Sequence, residues 1–530
     1  MSPRPDYRLD RRALLKATLG AGFAALPLAP LAAPARAQFR AFPFSLGVAS
    51  GEPAPDGFVI WTRLAPEPLT PWGGMSPAPV AVTWEVATDP GMTAVVRSGS
   101  AMSRLESGHS VHVELEGLAP ARDYFYRFRA GDADSAVGRA KTLPAPGADV
   151  AQLKFAAAGC QAWEGGHYTA WRSIADDALD FVFHYGDYIY EYFARTVDRD
   201  NRPLPRAMPA DFPSCYTLVD YRRRYALYKT DPDLQAAHAS CPFLPSFDDH
   251  EVTDNWAADS DPRSTPAEEF LFRRAAAFQA WYEHMPVRRS MIPRGPDVMA
   301  YRNFRVGNLA DIAVLDTRQY RSRQPCGDGF RANCRAADEP ARTMLGEAQE
   351  RWLADLLRAP SGTWQVLAQQ VLFSRLNWRA FSWMHNPEDG MHRMDAWDGA
   401  TAAQTRVIDM LKPARNPVVL SGDLHMDLSL EIKDDWNDPK SRCIGVEFLS
   451  TSISSGGDGA ATVKNGDAIL ADNPHLKFVG YERGYTRHVV TPRRWQADLR
   501  TVERVSIPGA PVVTRKSFVV EAGRPGLQEA

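Results

Sequence analysis

The chain has 530 residues, which at about 150 residues per domain suggests two to four domains. Hydrophobic residues make up 45% and charged residues 24%, which excludes a disordered, coiled-coil or collagen-like chain. Lys and Arg number 61 against 64 Asp and Glu, and this net charge of -3 argues against nucleic-acid binding by bulk electrostatics. Beyond the N-terminal segment, no stretch has the ~18 apolar residues of a membrane span, so we expect none in the mature chain.

The first 37 residues are typical of an export signal. The twin arginines Arg11 and Arg12 precede a run of small apolar residues that ends at Ala35-Arg36-Ala37, a pattern typical of a cleavage site. Twin arginines in this context indicate the Tat pathway. The sequence therefore predicts a signal peptide over residues 1–37, the Tat export machinery as a partner, and a periplasmic or extracellular location.

Short strands with Gly, Pro and Asp turns between them fill residues 40–145. Alternating or aromatic-rich segments at 58–62, 81–86, 111–115 and 123–129 predict strands. Strands of this length and spacing are typical of a small β-sandwich of fibronectin type III-like character. Because this region does not concentrate titratable groups, we expect it to have a structural role.

After Pro144-Ala145-Pro146-Gly147, apolar strands alternate with amphipathic helices, which predicts a layered α/β domain over residues 150–510. The expected strands cover 153–158, 181–185, 312–315, 365–368, 417–421 and 446–450. Helices are expected over 265–282, 345–357 and 401–411, the first with Thr265 as N-cap and Pro266 at its first position. The last ~50 residues again resemble strands and would complete a sheet edge, with residues 511–530 as a C-terminal tail.

Polar side chains follow three of these strands and a fourth apolar segment at 243–246. They lie in Gly159-Cys160, in Gly186-Asp187-Tyr188-Ile189-Tyr190, in Asp248-Asp249-His250-Glu251 with Asn255 shortly after, and in Gly422-Asp423-Leu424-His425. In an open α/β sheet, ligands bind at the carboxyl ends of the strands. Four such loops predict a polynuclear metal site.

The residue types indicate two kinds of metal ion. A thiolate, a phenolate and an imidazole suit a transition metal, and the phenolate favours iron(III), whereas several carboxylates and an amide oxygen suit calcium or magnesium. Asp187, just beyond a strand, is well placed to bridge the two. Two ions roughly 3.5–4 Å apart can activate water and stabilise the attacking and leaving oxygens of a phosphoryl transfer.

These motifs resemble known phosphatases. Gly186-Asp187-x-x-Tyr190 is similar to the metal motif of the purple acid phosphatases, and the four loops together resemble the PhoD-type alkaline phosphatases. The resemblance covers nearly the whole chain. The Tat signal and four further segments contribute to it: Gly47-Val48-Ala49-Ser50-Gly51-Glu52-Pro53, Tyr282-Glu283-His284-Met285-Pro286, Val314-Leu315-Asp316-Thr317-Arg318 and Trp397-Asp398-Gly399.

The resemblance implies a secreted phosphatase that contains iron(III) and depends on calcium, with a metallophosphoesterase-type αββα catalytic domain. Cys160, Asp187, Tyr190 and His425 would bind iron(III). Asp187 would bridge to calcium. Asp249, Asn255 and Asp423 would complete one or two calcium sites, and Asp248 would be a further metal ligand. His250 would serve as an acid or as a donor to a phosphate oxygen. The expected reaction is hydrolysis of a small phosphate ester by in-line attack of a metal-activated hydroxide.

Several residues also have a purely structural interpretation. Cys160 could be a buried core thiol, Tyr190 one aromatic in a packed loop, and Asp248 a cap or a partner of backbone amides. Arg318 could bind phosphate or pair with a buried acid. His184 is expected in the core. Cys326 and Cys334 lie in one short loop, where a local disulfide is an open alternative to two free thiols.

Two other functions remain open. A phospholipase D-like phosphodiesterase of the same family would use similar motifs, and the inserted segments 193–241 and 321–341 could shape its pocket. A non-catalytic, metal-stabilised binding protein is the alternative from another class. His250 beside the metal ligands argues against that alternative, because a structural site would not require it.

Overall fold

The structure is a computed structural model that describes residues 38–198, 201–381, 391–436, 438 and 440–530. The predicted signal peptide lies outside the described residues. The helices are α1 Thr169–Asp176, α2 Leu218–Lys229, α3 Pro232–Ser240, α4 Ala267–His284, α5 Gly346–Arg358, α6 Thr401–Leu411 and α7 Gly466–Asp472. Short 3₁₀ helices cover Pro71–Gly74, Leu105–Ser107, Arg289–Met291, Arg335–Asp338 and Trp397–Ala400.

Strands make up most of the remaining regular structure. The first twelve are β1 Val48–Ala54, β2 Gly57–Arg63, β3 Val80–Ala87, β4 Val95–Ser103, β5 Ser110–Leu115, β6 Asp123–Ala130, β7 Ala133–Asp134, β8 Gly138–Lys141, β9 Leu153–Ala158, β10 Phe181–His184, β11 Pro242–Pro245 and β12 Arg302–Val306. The others are β13 Ala310–Val314, β14 Phe330–Ala332, β15 Trp364–Ala368, β16 Met391–Arg393, β17 Pro417–Ser421, β18 Asp427–Lys433, β19 Cys443–Leu449, β20 Gly459–Ala460, β21 Leu476–Val490, β22 Arg494–Val502, β23 Val512–Glu521 and β24 Arg524–Glu529.

Two large sheets share the long strand β21. In the first, the order is β5-β2-β1-β11-β10-β9-β21-β22-β23-β24, and β1, β11, β10 and β9 are parallel. In the second, the order is β12-β13-β15-β17-β19-β18-β21, and β13, β15, β17 and β19 are parallel. The first half of β21 pairs with β18, and its second half lies between β9 and β22. One strand thus joins the two sheets.

Side-chain alternation along the strands places the core between the sheets. Phe155 and Phe183 of the first sheet pack with Ile312 and Val418 of the second in one buried cluster. The alternate residues of the first sheet, such as Val182, pack against helices α1 to α4. Helices α5 and α6 cover the other face of the second sheet. The parallel strands are therefore buried on both faces, as their continuous apolar sequences require.

The N-terminal region is built from strands of two sheets. Strands β3, β4, β6, β7 and β8 form a separate five-stranded sheet. It packs on β1, β2 and β5 through a cluster that includes Phe58, Val82 and Tyr126. Because β1 also pairs with β11, residues 40–145 share a sheet with the region that follows them.

The predicted strands and helices are present with small shifts in their ends, and the mixed α/β content is confirmed. Two expectations need correction. Thr265 does not cap α4, because the helix begins at Ala267 and Pro266 occupies the N-cap position; the hydroxyl of Thr265 instead donates to Oδ2 of Asp261 at 2.8 Å. Residues 511–530 are not a free tail, since β23 pairs with β22 and β24 pairs with β23. Among the described residues, no helix is long and apolar enough to cross a membrane.

Candidate metal centre

The loops after β9, β10, β11 and β17 meet at one end of the two sheets. Two glycines permit this approach by leaving space for the ring of Tyr185. A Cβ atom on Gly159 would lie 2.4 Å from Cε2 of Tyr185, and a Cβ atom on Gly422 would lie 2.4 Å from its Cδ2. The hydroxyl of Tyr185 donates to the carbonyl oxygen of Thr451. The tyrosine therefore joins loops of both sheets beneath the candidate ligands.

Five of the predicted ligands have a left-handed backbone. The φ angles are 51° at Cys160, 54° at Asp187, 48° at Asn255, 68° at Asp423 and 56° at His425. Such conformations are costly for residues other than glycine and concentrate at functional sites. Such backbone conformations persist only where the surrounding structure holds them, and they fix the direction of each side chain.

Cys160, Asp187 and His425 form the first candidate ligand group. One potential ligand atom from each lies within 4.8 Å of the others. Oη of Tyr190 donates to Oδ2 of Asp187 at 2.8 Å and lies 3.0 Å from Nε2 of His425. Ser455, which was not predicted, donates to Oη of Tyr190 at 2.7 Å. All four residues predicted to bind iron are thus adjacent.

Two further groups overlap the first. Asp187, Asp249 and His250 form one, and Asp248, Asp249 and Asp423 form the other. Asp187 belongs to the first and second groups, and Asp249 to the second and third, so the groups are continuous. The backbone N–H of Asn255 donates to Oδ2 of Asp249 at 2.7 Å, which places Asn255 beside them.

Arg318 is a fully buried cation within the centre. Its Nε donates to Oδ1 of Asp248 at 2.5 Å, and its Nη1 donates to both carboxylate oxygens of Asp395 at 2.9 Å. Nη2 of Arg393 lies 2.9 Å from Oδ2 of Asp423. Arg318 therefore pairs with buried acids, which is one of the two roles expected for it. One carboxylate oxygen of Asp248 is occupied by this contact. Asp395 and Arg393 were not predicted, since no motif contains them.

Glu191 holds His250 in place and was missed in the sequence. Oε2 of this buried glutamate lies 2.8 Å from Nδ1 of His250, and its Oε1 accepts from the backbone N–H of Asp254 at 3.0 Å. Nε2 of His250 lies 3.8 Å from Oδ2 of Asp249. Burial alone would lower the pKa of His250, but Asp249, Asp187 and Glu191 raise it well above its ordinary value. These carboxylates favour the protonated form of His250, and Nδ1 of the imidazole faces Glu191.

Glu251 ties two ligand loops together. Its carboxylate accepts hydrogen bonds from the backbone N–H groups of Asp187 at 3.1 Å, Tyr188 at 2.7 Å and Asp248 at 2.8 Å. Burial and the charge of Asp187 raise the pKa of Glu251 to about 8. The fourth residue of Asp248-Asp249-His250-Glu251 thus supports the ligands and is not one of them.

The residues present fit bound cations. Burial raises the pKa of Asp423 to about 7 and that of Asp248 well above its usual range, so these carboxyl groups resist ionisation unless a cation compensates their charge. Burial also raises the pKa values of Cys160 and Tyr190, which a coordinated metal would deprotonate. The donors divide into sulfur, phenol and imidazole on one side and carboxylates with an amide on the other. This division suits one transition metal and one hard divalent ion.

A cavity of about 660 Å³ opens beside the centre. It is lined by residues that include Asn255, Arg393, His425, Tyr481 and Arg483.

Two features outside the ligand groups also had open interpretations. His184 is buried and stacks on Trp171 with 5.8 Å between ring centroids. The local disulfide forms between Cys326 and Cys334.

Comparison with known proteins identifies relatives of this chain. Residues 155–499 match the family model described as PhoD-like phosphatase, and residues 31–144 match that of the PhoD-like phosphatase N-terminal domain. Alkaline phosphatase D of Bacillus subtilis (strain 168) is 45% identical over 494 residues, which are 93% of this chain and 83% of that protein. The solved structure named "Structure of PhoD" matches with a TM-score of 0.89 and 45% identity, and the match covers 93% of both chains.

Fold and relatives together define a metal-dependent phosphatase with an N-terminal β domain. The resemblance inferred from the motifs is thereby confirmed. The chain belongs to the PhoD-like phosphatase family.

Proposed function

We propose that this phosphatase hydrolyses small phosphate monoesters at a mixed iron(III) and calcium centre. The observation that carries the proposal is the continuity of the three ligand groups through Asp187 and Asp249. A soft and aromatic donor set adjoins a carboxylate set there, which is the arrangement expected of two different ions sharing one bridging carboxylate.

The proposed iron(III) ligands are Cys160, Asp187, Tyr190 and His425. Asp187 would also hold calcium, for which Asp249, Asn255 and Asp423 would supply further oxygens. Asp248 contributes through the oxygen that Arg318 leaves free. When bound, the ions supply an activated water and neutralise charge on the phosphoryl oxygens.

The remaining chemistry belongs to the side chains. Glu191 fixes Nδ1 of His250, so the N–H at Nε2 is available to a phosphoryl oxygen or to the leaving oxygen. His250 thus stabilises charge that grows in the transition state. Arg393 and Arg483 line the cavity, where their charge attracts an anionic substrate.

Phosphodiester hydrolysis, as by a phospholipase D-like member of the family, is the second candidate. It is favoured by the cavity of about 660 Å³, which leaves space for a second ester group beyond the phosphate itself. A non-catalytic binding protein is a weaker interpretation than either hydrolytic function, because the chain belongs to a phosphatase family and His250 lies beside acidic groups.

The proposal also covers the architecture of the two domains and the location of the protein. The two sheets with helices on their outer faces are interpreted as a metallophosphoesterase-type αββα domain over residues 150–510. The N-terminal β domain is interpreted as a fibronectin type III-like sandwich over residues 40–145. Residues 1–37 are proposed to direct Tat export to the periplasm or beyond, where the cleaved chain would act.

Hydrolysis of p-nitrophenyl phosphate and of bis(p-nitrophenyl) phosphate tests the proposal. The protein is stripped of metal with chelators and then supplied with iron and calcium separately and together. We expect monoester hydrolysis only when both ions are present, and faster than diester hydrolysis. Faster diester hydrolysis would favour the second candidate, and full activity of stripped protein would contradict the proposal.

A further inference from the structure

Asn255 is held by hydrogen bonds on several sides. Its backbone N–H donates to Asp249, and its carbonyl oxygen accepts from Nε2 of Gln324 at 2.7 Å. Its side-chain Nδ2 donates to Oδ2 of Asp328 at 2.7 Å. A carboxylate only accepts hydrogen bonds, so this contact fixes which end of the amide is the NH₂ group. The amide oxygen of Asn255 is consequently turned away from Asp328.

Asp328 lies in a loop that is closed at both ends. The disulfide between Cys326 and Cys334 spans it, and β14, which begins two residues after Asp328, pairs with β16. Within the loop, Nε of Arg331 donates to the carbonyl oxygen of Cys326 at 2.9 Å. The backbone N–H of Gly329 donates to Oδ1 of Asp328 at 2.6 Å. Both carboxylate oxygens of Asp328 are therefore engaged.

The two-stranded ribbon of β14 and β16 reaches the centre at a second point. Arg393, the last residue of β16, approaches Oδ2 of Asp423 at 2.9 Å. Asp328, just before β14, approaches Asn255. The ribbon thus contacts two residues of the proposed calcium site, from one wall of the cavity that Asn255 and Asp328 both line.

We propose that Asp328 is a positioning residue that orients the amide oxygen of Asn255 towards calcium, and that the Cys326–Cys334 disulfide holds Asp328 there. This inference rests on the metal centre proposed above. Partners of metal ligands fix ligand orientation, and their loss typically lowers metal affinity by about 10–100-fold. Asp328 acts through Asn255, so its removal affects calcium binding more directly than it affects iron binding.

Calcium binding by the full chain tests the inference. Asp328→Ala, Asp328→Asn and the double variant Cys326→Ser/Cys334→Ser are compared with the exposed control Asp467→Ala. Each protein is freed of calcium with a chelator and titrated with calcium while the thermal unfolding midpoint is followed. Iron is measured by elemental analysis, and circular dichroism verifies that each variant is folded.

We expect Asp328→Ala to weaken calcium binding by about 10–100-fold with iron retained. Asp328→Asn should recover most of this loss, because its amide oxygen still accepts from Nδ2 of Asn255. The double cysteine variant should weaken calcium binding by about tenfold, and adding Asp328→Ala to it should cost no more than Asp328→Ala alone. Asp467→Ala should bind like the unaltered protein.

Calcium affinity unchanged in Asp328→Ala would overturn the positioning role. A loss in Asp328→Asn as large as in Asp328→Ala would also overturn it, since charge rather than the hydrogen bond would then matter. Normal affinity in the double cysteine variant would overturn the role of the disulfide. If the unaltered protein binds no calcium, the proposed metal centre is wrong. Weak binding in the variants alone leaves the proposed centre intact.

Discussion

Replacing His250 with alanine removes a group that the fold holds rigidly beside the ligands. Its side chain is buried, its Nδ1 is 2.8 Å from Glu191, and its ring lies 4.2 Å from that of Tyr190. The neighbouring carboxylates keep its pKa well above the ordinary value, despite the opposing effect of burial. Because Nδ1 is engaged by Glu191, Nε2 is the ring nitrogen that can donate to a phosphoryl or leaving oxygen.

The size of the effect follows from that role. A positioned acid contributes about 10²–10⁴-fold to rate, which corresponds to roughly 3–5.5 kcal/mol of transition-state stabilisation. We expect kcat of His250→Ala to fall by this factor on p-nitrophenyl phosphate. Iron and calcium contents should stay at the level of the unaltered protein, because His250 is not among the proposed ligands.

The assay therefore needs rate and metal content from the same preparation. His167→Ala, at a partly buried histidine outside the cavity lining, is the matched control and should keep its activity. A kcat of His250→Ala within threefold of the unaltered protein, with full metal content, would refute the reasoning. Loss of iron or calcium would also refute it, because His250 would then support the ions.

Three further changes are expected to have measurable effects. Glu191→Gln should lower kcat at least tenfold with KM unchanged, because the amide cannot stabilise a cationic His250; normal kcat would contradict this. Gly422→Ala places a Cβ atom 2.4 Å from the Tyr185 ring and should destabilise the fold by about 1–3 kcal/mol, seen as a lower Tm, and an unchanged Tm would count against it. Burial raises the pKa of Asp427 to about 8 from 3.8, so the folded chain holds a proton there that the unfolded chain loses, and stability falls as pH rises between those values. The Tm of Asp427→Asn, relative to that of the unaltered protein, should therefore rise between pH 5 and pH 9. A Tm difference that does not change with pH would disprove this.

The layered α/β architecture could be predicted because its signals are local. The parallel strands are continuous apolar segments such as Pro417–Ser421, which is buried along its whole length. The candidate ligands were predictable for the same reason, since each lies in a loop that follows a strand. The sheet shared by the N-terminal region and the following one was not, because pairing of β1 with β11 joins residues almost 200 positions apart.

The residues missed in the site act on ligands that lie far away in sequence. Glu191 contacts His250, 59 positions later, and Asp395 contacts Arg318, 77 positions earlier. Neither belongs to a motif whose chemistry requires it. Thr265 shows the opposite error, because a good local capping pattern was overridden when its hydroxyl bonded to Asp261. Partner choice such as that of Glu191 and Asp395 depends on tertiary contacts, which composition and spacing do not encode.

The most direct test of the central claim is the metal content of the exported protein, measured with its visible absorption spectrum. We predict about one iron per chain, calcium above background, and a broad visible band from Tyr190 bound to iron(III). The band should disappear in Tyr190→Phe. Zinc or magnesium alone, with no visible band, would contradict the iron assignment. The absence of any stoichiometric metal would overturn the proposed centre.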